Sequence, residues 1–492
     1  MTALLVIDVG TTGLRAAIVD DTLTIRALEY RACPPVSPFG GLVEFDAADM
    51  ASKLLEAAGT VIDRAGEPIT AVGITNQRAS TLLWDRATGE PIGNGLGWQD
   101  LRTIGECLTA KAEHGWTIAP NQSVTKAAWL LANSGDLTGR DVCIGTVDSW
   151  IAWTLSGGAA GGSLHVSDQT NASAITSGLR RVDGSDWNDD VLDAFGVPRS
   201  VLPVVVDSIG VCGEATALAG APPIAGILGD QQGSLVGQNC VVRGRAKITF
   251  GTGGMLDLCT DDGTPAGTNR SPHGTYPLPL WSRDGDLTWG VEGIMLSAGT
   301  NVDWLRDDLG LIATSEESHD VASACQDSDG VVYVPALLGL GTPHWDYGAR
   351  GSLFGITRGT ERRHVVRAVL EGIAHRGADL LEAAEADTGV DISSVRIDGG
   401  MSTNPTFVQA VADATGRPIE IAPSADSTTI GAAFVAGLGV GGFRDMGDLE
   451  ELWRPDRVVE PSATDREARR DRWRTAVDRT LGWIPDLSAL DF

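Results

Sequence analysis

The stretch Leu4-Leu5-Val6-Ile7-Asp8-Val9-Gly10-Thr11-Thr12-Gly13, continuing from Leu14 to Asp20, sets two short apolar runs on either side of a Gly/Thr turn. That pattern predicts a β-hairpin. It returns far downstream, where Lys247 to Phe250 lead into Gly251-Thr252-Gly253-Gly254 and then Met255 to Leu258. Strand-like Ala71-Val72-Gly73-Ile74 and Val395-Arg396-Ile397 each run into polar or Gly-rich residues. The ordering predicts two related α/β halves, each opening with a hairpin whose tip is Gly/Thr-rich. The boundary is expected near Val241 to Arg245. This gives a first domain over 1–244, a second over 245–442 and a helical tail over 443–492.

Helices alternate with these strands, as an α/β architecture requires. From His364 to Thr388 the apolar positions Val365, Val366, Val369, Leu370 and Ile373 follow the three-and-four spacing of one buried face, with Gly389 as the stop. A second helix is expected after Asn404-Pro405, with Asn as N-cap and Pro at the first helical position, ending at Gly416. The segment from Asp465 to Arg479, dense in Arg, Asp and Glu, reads as a solvated helix.

Composition narrows the class of function. The chain has 492 residues, with 65 Asp plus Glu against 37 Lys plus Arg and a formal net charge of −28. At roughly 150 residues per domain, that length predicts two or more domains. Such acidity, with only four lysines and no basic block, argues against a nucleic-acid partner and against docking on an anionic membrane. No run approaches the ~18–20 apolar residues that a bilayer span needs. Met1 to Gly10 has no basic n-region, and Asp8 interrupts its apolar run. The seven cysteines lie far apart without a CxxC pair, which predicts free thiols in a reducing cytoplasm.

The two tips carry the first chemical hypothesis. A glycine-containing hairpin tip brings successive backbone N–H groups close to phosphate oxygens, forming an anion-binding nest. The Thr11 and Thr12 hydroxyls add donors without bulk. Asp8, at the end of its strand, is suited to hold Mg²⁺ through the ion's water shell. Taken alone, the first tip also reads as an ordinary tight hairpin. Two such tips, one per half, suit a nucleoside triphosphate held in a cleft between domains. Gly399-Gly400-Met401-Ser402-Thr403-Asn404 joins a strand to a helix, and its glycines permit close approach to a flat ring or ribose. A plain strand-to-helix connection capped by Asn404 fits it equally well.

The residues resemble a known family. Gly351-Ser352-Leu353-Phe354-Gly355-Ile356, seven residues, then His364 to Glu371 is similar to the C-terminal signature of the FGGY carbohydrate kinases, which lie within the actin/hexokinase-type ATPase superfamily. The Asp8-to-Thr12 motif, Trp98-Gln99-Asp100-Leu101-Arg102-Thr103, Gly229-Asp230-Gln231-Gln232, Gly251-Thr252-Gly253 and Asp398-Gly399-Gly400 follow in family order, and the resemblance spans about Leu4 to Gly442. It implies two actin-like (ribonuclease H-like) domains flanking a deep nucleotide and substrate cleft. It also implies transfer of a phosphoryl group from ATP, with Mg²⁺, to a small polyol or ketose, and a homodimer or homotetramer.

Within the family, Ile74-Thr75-Asn76-Gln77-Arg78 and Trp84-Asp85-Arg86-Ala87-Thr88-Gly89 follow the glycerol kinase pattern. The resemblance assigns Asp230 as general base, Gln231 as its hydroxyl-binding partner, Arg78 as a donor to substrate hydroxyls and Trp98 as a wall against the carbon skeleton. It assigns Thr11, Thr12, Gly13 and Arg15 of the first tip, with Thr252, Gly253, Gly299, Asp303, Gly400 and Asn404, to the nucleotide. Four positions depart from the glycerol kinase pattern. Ala79 stands for a Glu, Asn121 for a Tyr, Met255 for a Phe and Asp303 for a Gln. Loss of the Glu removes an acceptor of polyol hydrogen bonds and opens space for another hydroxymethyl group. A site built to pair with hydroxyls discriminates by ~10⁴ or more when groups are left unpaired. A polyol or ketose of four or five carbons is therefore expected ahead of glycerol.

Two rivals stand beside this reading. A pentulose kinase of the xylulose or ribulose type is opposed by Gln77-Arg78, an argument that Ala79 weakens. A non-catalytic actin-like ATP-binding protein would keep the tips without needing Arg78, Trp98, Asp230 and Gln231 together. His344-Trp345-Asp346, in a Gly/Pro-rich connection, reads as packing of the second domain, and Glu292 as structural rather than catalytic.

Overall fold

The computed structural model describes residues 3–260 and 270–490. Its main sheet has 13 strands. In chain order they are β1 (Ala3–Val9), β2 (Gly13–Val19), β3 (Ile25–Ala32), β4 (Ile69–Asn76), β5 (Ile209–Glu214), β6 (Pro223–Gly229), β7 (Ala246–Phe250), β8 (Gly254–Cys259), β9 (Tyr276–Arg283), β10 (Asp286–Met295), β11 (Val395–Asp398), β12 (Ile419–Ile421) and β13 (Arg457–Val459).

The spatial order is β13-β12-β11-β7-β8-β10-β9-β5-β6-β4-β1-β2-β3. It contains one topology twice. In the first half, antiparallel β3, β2 and β1 are followed by parallel β4 and β6. In the second, antiparallel β10, β8 and β7 are followed by parallel β11 and β12. The predicted hairpins are β1–β2 and β7–β8. The two halves of the sheet meet through a single β5–β9 rung, Ile209 opposite Arg283.

The helices relevant to the site are α1 (Ala47–Ala65), α2 (Val147–Leu155), α3 (Asp230–Gly237), α4 (Arg362–Thr388), α5 (Pro405–Thr415), α6 (Ser427–Gly439) and α7 (Arg466–Asp478). Their ends follow local chemistry. Asp46 caps α1 by accepting from the Ala48 and Asp49 amides, and α4 stops at Gly389 with φ 67°. Asn404 caps α5, Pro405 begins it and Gly416 ends it, as the sequence predicts. The central strands are apolar along their whole length: every residue of β1 is buried, as expected for a strand covered on both faces. Each half has its own core, one gathered around β1, β2, α1 and α2, the other around β7, β8, α4 and α5.

The tail departs from the reading of a solvated helix. Strand β13 pairs with β12 at the edge of the sheet. On α7, Arg470 and Trp473 are fully buried against α4. Arg470 donates to Asp379 Oδ1 at 2.7 Å and Glu382 Oε2 at 2.8 Å, and the Trp473 ring lies 5.2 Å from His375. The buried arginine is tolerable because two carboxylates meet it, a pairing invisible in a charge-rich stretch read alone. Among the described residues no helix is long and apolar enough to cross a membrane.

Candidate active site

In the first half, Val9, Asn76 and Gly229 end three neighbouring parallel strands in register. The Gly10–Gly13 tip, Gln77-Arg78-Ala79 and Asp230 therefore leave the sheet side by side. In open α/β sheets this carboxyl edge is where ligands bind.

Asp230 is the first residue of α3, and its Oδ1 accepts from the Gln231 amide at 2.9 Å. Arg78 Nε lies 3.9 Å from the same oxygen. Burial raises the Asp230 pKa above the ordinary carboxylate value, and the Arg78 guanidinium offsets part of that rise. Arg78 also donates through Nη2 to Glu292, on β10 of the second half. Gln231 Oε1 accepts from Lys247 Nζ at 2.7 Å. Asp230, Gln231 and Arg78 thus form one cluster with groups of both halves.

Trp98 is half-buried and ties this cluster to the first tip. Its indole N–H donates to Thr11 Oγ1 at 3.2 Å, and its amide donates to Ser80 Oγ at 3.0 Å. Ala79 is buried with φ 63°, a left-handed conformation rare for a residue with a Cβ. Its carbonyl accepts from Thr81 Oγ1 and Ser123 Oγ, which hold the turn. Asn121 is exposed in the turn before helix 123–133. Buried Lys126 pins that turn by donating to the carbonyls of Pro120 at 2.7 Å and Gln122 at 3.0 Å. Met255 is half-buried on β8, two residues beyond Gly253.

On the nucleotide side, Asp8 is buried at the end of β1 and accepts from Thr429 Oγ1 of α6 at 3.1 Å. Burial raises its pKa to about 6. Arg15 faces Asp8 directly across the hairpin and lies 3.5 Å from its Oδ2 and 3.8 Å from Asp426. A Cβ on Gly13 would fall 2.3 Å from the hydroxyl of Tyr30, so the half-exposed Tyr30 ring covers this end of the tip. Thr12 is exposed at the tip.

At the second tip Thr252 is exposed, and its carbonyl accepts from the Ala298 amide at 2.9 Å. The Gly299 amide donates to the Gly251 carbonyl at 2.8 Å. A Cβ on Gly253 would lie 2.8 Å from the Met295 carbonyl, and one on Gly299 would lie 2.7 Å from Gly251 O. This tip is seated by backbone contacts. Gly400 is exposed with open space above it, as access to a flat ring requires, whereas Gly399 at φ 85° packs on Phe250.

Two expected nucleotide contacts have other engagements. Asn404 accepts from the Phe407 amide at 3.1 Å and donates to Ser318 Oγ at 2.9 Å, so it serves as the α5 cap. Asp303 pairs with Arg306 at 3.0 Å, one turn on.

Three residues beside the cluster escaped the sequence reading. Glu292, read there as structural rather than catalytic, is the ion-pair partner of Arg78. Lys247 and Asp257 are fully buried and 2.7 Å apart, and Thr429 bonds Asp8. The available signal was a charged residue inside an apolar strand, as in Met255-Leu256-Asp257-Leu258-Cys259. His344-Trp345-Asp346 does serve packing: Trp345 Nε1 donates to Gly274 O, and Asp346 accepts from the Gly348, Ala349 and Gly482 amides.

Residues 3–237 match the N-terminal domain of the FGGY family of carbohydrate kinases, and residues 246–440 match its C-terminal domain. A glycerol kinase of Aromatoleum aromaticum is 40% identical over 98% of the chain and 100% of that protein. One of Deinococcus radiodurans is 38% identical over 99% of each. Among solved structures, Plasmodium falciparum glycerol kinase with ADP superposes with a TM-score of 0.89 at 29% identity, covering 98% of both chains. A xylulose kinase of Rhodospirillum rubrum reaches 0.82 at 21% identity over 97% of the chain and 98% of its own, which shows the shared fold. With both domains of one family matched along nearly its whole length, the chain belongs to the FGGY family of carbohydrate kinases and is an ATP-dependent kinase of a sugar or polyol.

Proposed function

We propose that the chain phosphorylates a terminal hydroxyl of a polyol or ketose of three to five carbons, with Asp230 as the general base. The observation that carries this reading is the Asp230 cluster, which gathers an acceptor and donors at the carboxyl edge of the first half. A substrate hydroxyl donates to the Asp230 carboxylate while Arg78 and Gln231 meet neighbouring oxygens. Trp98 covers the carbon skeleton. Asn121 and Met255 border the same pocket. Asp230 accepts the proton late, once the oxygen has begun to bond to phosphorus, so a carboxylate of modest basicity suffices. Phosphoryl transfer asks for positioning and charge stabilisation more than covalent chemistry. Amides of Thr11, Thr12, Gly13, Thr252 and Gly253 supply donors to the phosphates, and Gly299 and Gly400 border the base.

The residues fit Mg²⁺ held through its waters. Among the described residues no cluster of three His, Cys, Asp or Glu forms a protein cage, and Asp8 is a single buried carboxylate at the first tip. That donor set suits a hydrated hard cation. When bound, the ion offsets phosphate charge. Division at 244/245 assigns the acceptor contacts other than Met255 to the first domain and the base contacts to the second, and substrate-linked closure then excludes water from the transfer.

The acceptor is tested by ADP release over glycerol, tetritols, erythrulose and the pentuloses. On the reading that Ala79 in place of a Glu leaves room for a longer acceptor, four- and five-carbon acceptors rank ahead of glycerol, with a pentulose kinase as the second reading. In Asp230→Asn, turnover is expected to fall by roughly 10²–10⁴ with ATP affinity unchanged. Near-normal turnover in that variant excludes Asp230 as the base.

A further inference from the structure

Behind the acceptor cluster, three charged side chains stand in one row across three strands of the second half. Lys247 on β7 is directly opposite Asp257 on β8, and Asp257 is directly opposite Glu292 on β10. Directly paired residues of adjacent strands project from the same face of the sheet. All three are buried. A row of two acids and one base in a sheet interior costs stability unless each charge is paired and hydrogen-bonded. Glu292 holds Arg78. Lys247 Nζ reaches Asp257 Oδ2 at 2.7 Å, Thr249 Oγ1 at 2.9 Å and Gln231 Oε1 at 2.7 Å.

An ammonium has three N–H donors and no acceptor. Facing Lys247, the Gln231 amide can therefore present only its oxygen, and the NH₂ group is left for the opposite side. We infer that Lys247, held by Asp257, is a positioning residue that fixes Gln231 as a hydrogen-bond donor to the acceptor substrate. This rests on the reading of Gln231 as a substrate contact and deepens it. The pocket then has a set polarity: Asp230 takes the proton of the attacking hydroxyl, while Gln231 and Arg78 donate to oxygens that accept. A ketose carbonyl or the lone pairs of a second hydroxyl meet that demand, and a group that can only donate does not. Asp257 acts through Lys247: its carboxylate, 2.7 Å from Nζ, holds the ammonium where a second N–H meets the Gln231 amide oxygen.

The test compares Gln231→Glu, Lys247→Met and the double variant Lys247→Met with Asp257→Leu. The double variant removes both buried charges together and so leaves no unpaired ion in the sheet. With the best acceptor of the panel, acceptor KM is expected to rise at least tenfold in Lys247→Met and in the double variant, about the worth of one directed hydrogen bond. ATP KM and the thermal midpoint of the double variant are expected to stay near the parent's, and kcat to fall less than acceptor KM rises. Gln231→Glu leaves Lys247 a partner but removes the donor, so it should raise acceptor KM to a similar extent. Combined with Lys247→Met it should add less than twofold. The inference is overturned if the double variant folds and its acceptor KM stays within twofold, or if Gln231→Glu binds acceptor normally. Should Lys247→Met and the double variant both fail to fold, Gln231→Glu alone decides. Asp230→Asn runs in parallel: if it keeps its turnover, the general-base reading fails, whereas a dead Asp230→Asn beside an unaffected double variant sinks only the positioning role.

Discussion

Asp230 and Ala79 each sit in a surrounding that makes a measurable demand. Asp230 must be ionised to accept a proton, and burial raises its pKa above the ordinary 3.8. Burial thus sets the sign: the ionised, active form is present above the raised value and is lost as pH falls through it. The kcat/KM profile for the acceptor, which reports the free enzyme, should therefore show an acid limb at higher pH than an exposed carboxylate gives. A limb centred at 3.8 or below counts against this environment. Ala79 already occupies φ 63°, which costs any residue with a Cβ roughly 1–2 kcal/mol. Ala79→Glu thus adds no new backbone strain, and it tests the carboxylate together with the volume it brings to a buried position. The specificity ratio of glycerol over a tetritol is expected to rise at least tenfold. An unchanged ratio discards the enlarged pocket.

Elements are where pH should act on stability. His165 precedes the short strand Val166–Asp168, and its ring lies 5.0 Å edge-on from Trp84. Nε2 is 2.9 Å from the Ile144 carbonyl, and Nδ1 faces Arg86 Nη1 at 3.4 Å. A carbonyl needs a donor and a guanidinium needs an acceptor, so both neighbours select the neutral ring protonated at Nε2. Burial lowers its pKa to about 4, against 6.5 unfolded. The unfolded chain therefore binds the extra proton between those values, and the stabilisation present above pH 6.5 is lost as pH falls toward 4. His165→Gln should keep a donor to Ile144 while abolishing the titration. Its thermal midpoint, relative to the parent's, should rise as pH is lowered from 7 to 4.5, and a constant difference refutes the assignment. The same scale shows what the amino-acid sequence reveals. The β1–β2 and β7–β8 tips, the stop of α4 at Gly389 and the cap of α5 were legible because neighbouring residues determine them. The Lys247-Asp257-Glu292 row was not. It depends on register among strands up to 45 positions apart, and each residue alone resembles an interruption of an apolar run. Asn404 could be read either as a cap or as a base contact, and only the Ser318 and Phe407 partners favour the cap.

At the scale of the molecule, α6 is the element that locks the halves together. It belongs to the second half in sequence yet lies against α3 and the strands of the first half, where Thr429 reaches Asp8. The two helices cross on glycines. A Cβ on Gly431 would fall 1.9 Å from Gly233 O and 2.8 Å from the Gly237 amide nitrogen, and one on Gly237 would fall 1.8 Å from Ser427 O. These are backbone atoms, with no flexible side chain to give way. Gly431→Ala must therefore push α6 away from α3, at a cost at or above the ~1–3 kcal/mol typical of overpacking. Because α6 carries Thr429, the displacement reaches Asp8 as well, so turnover is expected to fall along with the thermal midpoint. Gly59 is the control. It lies within α1, and a Cβ there meets nothing within 4 Å. Gly59→Ala should stabilise by about 0.5–1 kcal/mol, because glycine is the poorer helix former, and should leave kinetics unchanged. Opposite shifts of the midpoint in the two variants, with activity lost only in Gly431→Ala, are what a tight inter-helix crossing at the nucleotide side requires. If Gly431→Ala matches the control in both measurements, the helices are free to separate, and α6 does not couple the packing of the halves to the site.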